Sequence, residues 1–178
     1  MRAAGIMAFS TVTGAVLVTD DDVLHWLILN IGDSRTYRFQ NGTLQLLTRD
    51  HSQVQEFVDA GVITAEQARI DPRRNVITRA LGAGMSEPDA DYFSTPALPG
   101  DVLLICSDGL TGELPDAEIA EILAGSDSAE DAAASLVDAA LFVGAHDNVT
   151  VVVVSVRSDE ESGEVGGESV ETSEDTPT

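Results

Sequence analysis

The sequence predicts an α+β fold built from stacked layers, not a doubly wound parallel sheet. Three observations point that way. Apolar, β-branched runs crowd the first half of the 178-residue chain. Helical periodicity falls between the later runs. Asn41-Gly42 marks a hairpin between two alternating segments, which makes the sheet at least partly antiparallel.

Thr11 to Thr19 is mostly apolar and β-branched and reads as the first strand. His25 to Ile31 is nearly all apolar, the pattern of a strand buried on both faces. Arg35 to Gln40 alternates, with Tyr37 and Phe39 on one face and Thr36 and Arg38 on the other. Asn and Gly tolerate the positive φ angles of a type I′ turn, so Asn41-Gly42 returns the chain into Thr43 to Thr48. Ser52 can cap a helix that carries Val54, Phe57 and Val58 at i, i+3, i+4 spacing, and Gly61 can close it. Thr64-Ala65-Glu66-Gln67 is a capping-box pattern that opens a short second helix. Residues 70–100 carry the breaks Asp71-Pro72, Gly82, Gly84, Pro88 and Pro99-Gly100 and read as loops. Val102 to Cys106 is a buried strand. Pro115 opens a helix through Ile119, Ile122 and Leu123. Ser128 caps a longer helix that places Leu136, Val137, Ala140 and Leu141 on one face. Val149 to Val156 is the last buried strand.

The composition changes after Arg157. Residues 158–178 hold eight acidic groups, no basic ones, and only Val165 and Val170 as large apolar residues. Such a segment buries too little apolar surface to offset its ordering entropy, so an acidic disordered tail is expected behind a domain of residues 1–157. The whole chain has 31 acidic and 9 basic residues, for a net charge of −22, and every base is arginine. The lack of lysine excludes P-loop and Schiff-base chemistry. The charge disfavours nucleic acid and anionic membranes, so neither is expected as a partner. Cys106, the single cysteine, excludes an internal disulfide and a cysteine-rich zinc site, and suits core packing. No apolar run nears the roughly 18 residues of a membrane helix. Ser10, Thr11, Thr13 and Gly14 interrupt the one leader-like stretch, and a cytoplasmic protein is expected.

Three aspartates stand at the ends of apolar strands beside small residues. They are Asp33 in Gly32-Asp33-Ser34-Arg35, Asp108 in Ser107-Asp108-Gly109, and Asp147 in His146-Asp147-Asn148. A carboxylate at a buried strand end is costly unless a cation or hydrogen bonds compensate it. Gly32 and Gly109 let the backbone turn there and let another group approach. If the three ends converge, they form an oxygen-only cluster that suits magnesium or manganese, not zinc. Taken singly, each aspartate suits a turn or a cap. Ser34 lacks the second glycine of a nucleophile elbow. Arg35 reads as a structural ion-pair residue, and His51 and His146 as supporting or surface histidines.

The motifs run in a definite order. Gly32-Asp33-Ser34-Arg35 comes first, then Asp50-His51-Ser52, then Asn75-Val76-Ile77-Thr78-Arg79-Ala80-Leu81-Gly82. Leu103-Leu104-Ile105-Cys106-Ser107-Asp108-Gly109-Leu110 and Asp147-Asn148-Val149-Thr150-Val151-Val152-Val153 complete the series. This order resembles the PPM, or type 2C, metal-dependent protein serine/threonine phosphatases, the bacterial members most, over about residues 8–156. The resemblance implies a four-layer αββα sandwich of two antiparallel sheets flanked by helices, with metals at one end. It implies Asp108 and Asp147 as ligands of a binuclear Mn2+ or Mg2+ centre, and Asp33 as ligand, together with Asp108, of a third and weaker ion. Ser34, Arg35 and Asn148 join Gly32 and Gly109 as residues that support this site. Ser52 to Arg79 matches a flap that tunes substrate access, with Arg73, Arg74 and Arg79 as its basic cluster. The implied activity is hydrolysis of phosphoserine and phosphothreonine by metal-activated water, on proteins phosphorylated by a serine/threonine kinase.

The sequence also departs from the family. The family's first segment carries a phosphate-holding Arg and an Asp-Gly-x-Gly-Gly motif whose Asp bridges two metals, and neither occurs here. The first strands of the family sandwich are missing with it. Without the bridging carboxylate, two nearby cations lack the ligand that screens their repulsion. Weak metal binding and little turnover are expected of this chain alone. Exposed apolar sheet surface and an unpaired strand edge are expected too, inviting a partner chain. The two explanations are a longer natural N-terminus and a truncated, noncatalytic regulatory or interaction module.

Overall fold

In a computed structural model the chain is described over residues 8–82, 89–144 and 146–157. Two antiparallel sheets pack face to face. The first runs in the order β1 (Val12–Asp20), β2 (Val23–Ile31), β5 (Asp91–Pro96). The second runs β4 (Thr43–Leu46), β3 (Arg35–Gln40), β6 (Val102–Cys106), β7 (Val151–Ser155). Asn41 and Gly42 take φ angles of 49° and 76°, the hairpin geometry their sequence specifies.

Strand alternation decides which side chains meet. Trp26 and Ile28 of β2 point inward, pack with Leu103 of β6 and Ala97, and form the core between the sheets. Leu17 and Thr95 flank Trp26, and Ala15 and Phe93 flank Ile28, in register on the same face. A second core lies behind the second sheet. Tyr37, Phe39, Leu104 and Cys106 pack there on Leu110, Leu114, Ile119, Leu123, Ala132, Leu136 and Ala140. These come from α3 (Asp108–Thr111), α4 (Asp116–Gly125), α5 (Ala129–Val143) and the segment joining α3 to α4.

Between β4 and β5 lie α1 (Gln53–Asp59) and α2 (Ala65–Ile70). The Ser52 hydroxyl accepts from the Gln55 amide, and Thr64 and Gln67 close a reciprocal capping box. Ser52 bridges Ile77, and the Gln53 amide donates to the Val76 carbonyl at 2.9 Å, so this flap is tied down at its base.

The structure corrects three readings and adds one helix. β5 is a strand inside residues read as loops. Its alternation is only six residues long and ends at Pro96, so the surrounding Gly and Pro signals masked it. The one-turn helix α3 begins at Asp108 itself. Leu141 is 57% exposed, because α5 turns Ala132, Leu136 and Ala140 to the core instead. β2 is not buried on both faces. Its outward Leu27 is 40% exposed, beside Val16 at 57% and Tyr92 at 68%. Among the described residues α3, α4 and α5 cover the second sheet, and the core between the sheets is filled by strand residues with Leu47, Ala97 and Val156 from the segments beside them. The acidic segment 158–178 lies outside the described residues.

Candidate metal centre

Register brings the three aspartates to one end of the sandwich. Arg35 pairs with Cys106, and Cys106 with Val151, so the start of β3, the end of β6 and the start of β7 lie side by side. Asp33 sits in the β2–β3 turn, Asp108 opens α3 just after β6, and Asp147 precedes β7. Glycine permits this convergence. A Cβ on Gly109 would meet the Asn148 carbonyl oxygen at 2.3 Å, so only glycine lets the Asp147 segment close on Asp108. Ser107 locks the contact. Its hydroxyl donates to the Asn148 carbonyl at 3.2 Å and accepts from the Thr150 amide at 3.0 Å. Asn148 supports the site through its backbone, and its amide donates to Asp147 Oδ1 at 2.7 Å. Gly32 takes φ +105°, and a Cβ there would meet Thr11 Cγ2 at 2.3 Å. The Ser34 hydroxyl shares a 2.9 Å hydrogen bond with that of Thr11.

The carboxylates crowd one another. Asp33 is 8% exposed. Burial, reinforced by the charge of Asp108, pushes its pKa up to about 6. Burial and then Asp147 likewise raise Asp108. The nearest cation does not relieve them fully, because Asp50 takes Arg35 in a two-pronged ion pair at 2.7–3.2 Å. Arg35 also donates to the Tyr37 hydroxyl at 3.0 Å, which in turn donates to Asp116 at 3.3 Å. Arg35 is the structural ion-pair residue its sequence context suggested.

Asp33, Asp108, Arg35 and Asp50 floor a cleft of about 240 Å³ whose opposite wall is the flap. Arg69 and Arg74 line that wall, and among the described residues neither forms an ion pair. Arg73 is instead paired with Asp71 at 2.8 Å and stacked on Phe57. Arg79 is held by Asp91 at 2.7 Å and by Asp89. Of the basic cluster read from sequence, Arg74 alone faces the cleft. Ser52 serves as a helix cap. Sequence reasoning missed Asp50 and Arg69. Asp50 could have been found as the carboxylate that a buried Arg35 requires.

The donor set is all oxygen, which fits hard divalent cations. Among the described residues no three His, Cys, Asp or Glu side chains close round one point. The aspartates instead form two neighbouring pairs that share Asp108, so water or other oxygens would complete each coordination shell.

Comparisons with known proteins bear on the sequence and the fold. No protein-family model matches the chain. The serine/threonine phosphatase stp of Listeria welshimeri is 42% identical over 128 residues, which are 72% of this chain and half of that protein. The PPM Ser-Thr phosphatase MsPP of Mycobacterium smegmatis, solved with cacodylate, superposes with a TM-score of 0.74 at 40% identity, covering 82% of this chain and 62% of that one. The catalytic domain of PstP, solved with two manganese ions, superposes at 0.70 with 37% identity, covering 84% and 60%. The chain spans about half the length of the curated stp relatives it matches. By its sequence and its two-sheet fold, the chain is a homologue of the PPM-type serine/threonine phosphatases.

Proposed function

We propose that this chain is the larger part of a metal-dependent phosphatase domain that hydrolyses phosphoserine and phosphothreonine in proteins phosphorylated by a serine/threonine kinase. The observation that carries the reading is the crowded Asp33–Asp108 pair on the floor of a cleft with the guanidiniums of Arg69 and Arg74, unpaired among the described residues, on its wall. Asp108 and Asp147 would hold one divalent cation, manganese or magnesium, and Asp108 with Asp33 a further one. Cations bound there supply neutralisation of phosphoryl charge and acidification of water. The chain's own residues do the rest. Asp108, shared by both pairs, sets their spacing. Arg69 and Arg74 attract the phosphoryl anion into an otherwise acidic protein. Asp50 takes most of the Arg35 charge, so Arg35 offsets that of Asp33 only in part.

A second reading has its own support. Among the described residues the outer face of the first sheet exposes Val16, Leu27 and Tyr92, and β1 lies at its edge. A noncatalytic module would use that edge to bind a partner chain. Manganese-dependent release of phosphate from a phosphothreonine peptide tests both readings. Slow release by the chain, lost in Asp108→Ala, supports the phosphatase. Cation binding without release supports the module. Release that survives Asp108→Ala overturns the site assignment.

A further inference from the structure

We infer that His51 is a positioning residue that fixes Asp33 and ties it to the base of the flap. The imidazole is buried, with 2% of its side chain exposed, behind the Asp33 turn. Its Nδ1 accepts the Gly32 amide hydrogen at 3.0 Å. Its own amide donates back to the Gly32 carbonyl at 2.9 Å, and Asn30 Nδ2 donates to the same oxygen at 3.1 Å. The residue before Asp33 is thus held on its amide and on its carbonyl, at a φ that only glycine adopts readily. Because Nδ1 accepts, the ring hydrogen of the neutral imidazole sits on Nε2. Nε2 lies 3.1 Å from Asp91 Oδ2, the first residue of β5. The other oxygen of Asp91 accepts from Arg79 Nη1 at 2.7 Å. Arg79 Nη1 also lies 3.2 Å from Nε2, and its side chain pairs with Asp89. On the flap side, the Thr78 amide donates to the His51 carbonyl at 2.8 Å.

One ring therefore reads two things at once. Nδ1 holds the turn that presents Asp33, and Nε2 holds the Asp91–Arg79 pair where the flap rejoins the first sheet. Groups that orient a metal-ligating residue govern cation affinity without touching the cation. His51 does so through the Gly32 peptide, so a shift at Arg79 is transmitted to Asp33 by a continuous set of hydrogen bonds. The readout through cation binding rests on the metal-centre reading above, whereas the Gly32 hydrogen bond does not.

Two isosteres separate the halves of this role. Asn places its amide oxygen where Nδ1 stands, and Gln places its amide nitrogen where Nε2 stands. The test uses the full chain and its His51→Asn and His51→Gln forms. Amide hydrogen exchange of Gly32 is measured without metal, and paramagnetic broadening by Mn2+ alone is followed at Asp33 and Asp147. The expected result is Gly32 protection and Mn2+ affinity at Asp33 close to the parent in His51→Asn. In His51→Gln, Gly32 exchanges faster and Mn2+ affinity at Asp33 falls by about 10-fold, with Asp147 little changed. Equal losses in both variants, or in neither, with folded protein, overturn the inference. Absence of Mn2+ broadening in the parent chain overturns the metal reading instead, and the Gly32 exchange comparison then decides the role of His51 by itself.

Discussion

The two sheets are built from similar strands and meet different fates. The second sheet is covered by helices on one face and by the first sheet on the other, so Tyr37 and Leu104 lose all contact with solvent. Among the described residues the first sheet packs only on its partner, and its outer face leaves Val16, Leu27 and Tyr92 exposed. Apolar content alone does not bury a strand; a strand is buried by what packs on it. The candidate centre lies on the seam, with Asp33 leaving the lightly covered sheet and Asp108 and Asp147 belonging to the sealed one. Rigidity on one side and support through His51 on the other follow from that placement.

The largest expected effect separates the sheets directly. Leu136→Ala, in the sealed core, should cost about 2–5 kcal/mol of unfolding free energy. Leu27→Ala on the bare face should cost about 1 kcal/mol or less. Urea titrations of both variants check this, and equal losses would break the contrast. On the seam, Gly109→Ala forces a Cβ against the Asn148 carbonyl and should cost about 1–3 kcal/mol. A Mn2+ titration should show weakened binding as well, because the Asp147 segment is pushed away from Asp108.

Asp33→Asn should act in the opposite direction. The folded chain holds the Asp33 proton up to a pKa of about 6, against an ordinary 3.8. The folded state therefore binds more protons than the unfolded state between those values, and stability falls as pH rises from 3.8 to about 6. Removing the charge should raise stability by about 1–3 kcal/mol at pH 7 in chelator. The gain should vanish below the ordinary carboxylate pKa. Thermal melts across pH check it, and a destabilised variant at pH 7 would contradict the burial of the Asp33 charge beside Asp108. The smallest effect on stability is that of Leu27→Thr, within about 0.5 kcal/mol. Light scattering should nevertheless show less self-association, and no change would mean that the bare face is not sticky.

Much of this architecture is legible in the sequence. Asn41-Gly42, the Thr64–Gln67 box and the Ser52 and Ser128 caps are local signals, and local signals suffice for turns and helix ends. β5 was hidden because six alternating residues carry little weight among Gly and Pro. Periodicity alone reads β2 as buried on both faces, because it reports apolar content and not a covering layer; the expectation of exposed sheet surface comes instead from the departure from the family pattern. The three aspartates stand out as strand-end carboxylates beside small residues. Asp50 and Arg69 do not, since their roles arise only when Arg35 and the flap are brought to the same cleft. His51 is visible in a motif, but its two hydrogen bonds join residues 19 and 40 positions away, a relation no local pattern contains.

The central claim is that the aspartates on the seam form a divalent-cation site organised by Asp108. Calorimetric titration of the chain with Mn2+, beside Asp108→Asn, tests it most directly. Saturable binding that disappears in Asp108→Asn, in a variant that melts no lower than the parent, is the predicted result. Binding of the same affinity and stoichiometry in both proteins would contradict the claim.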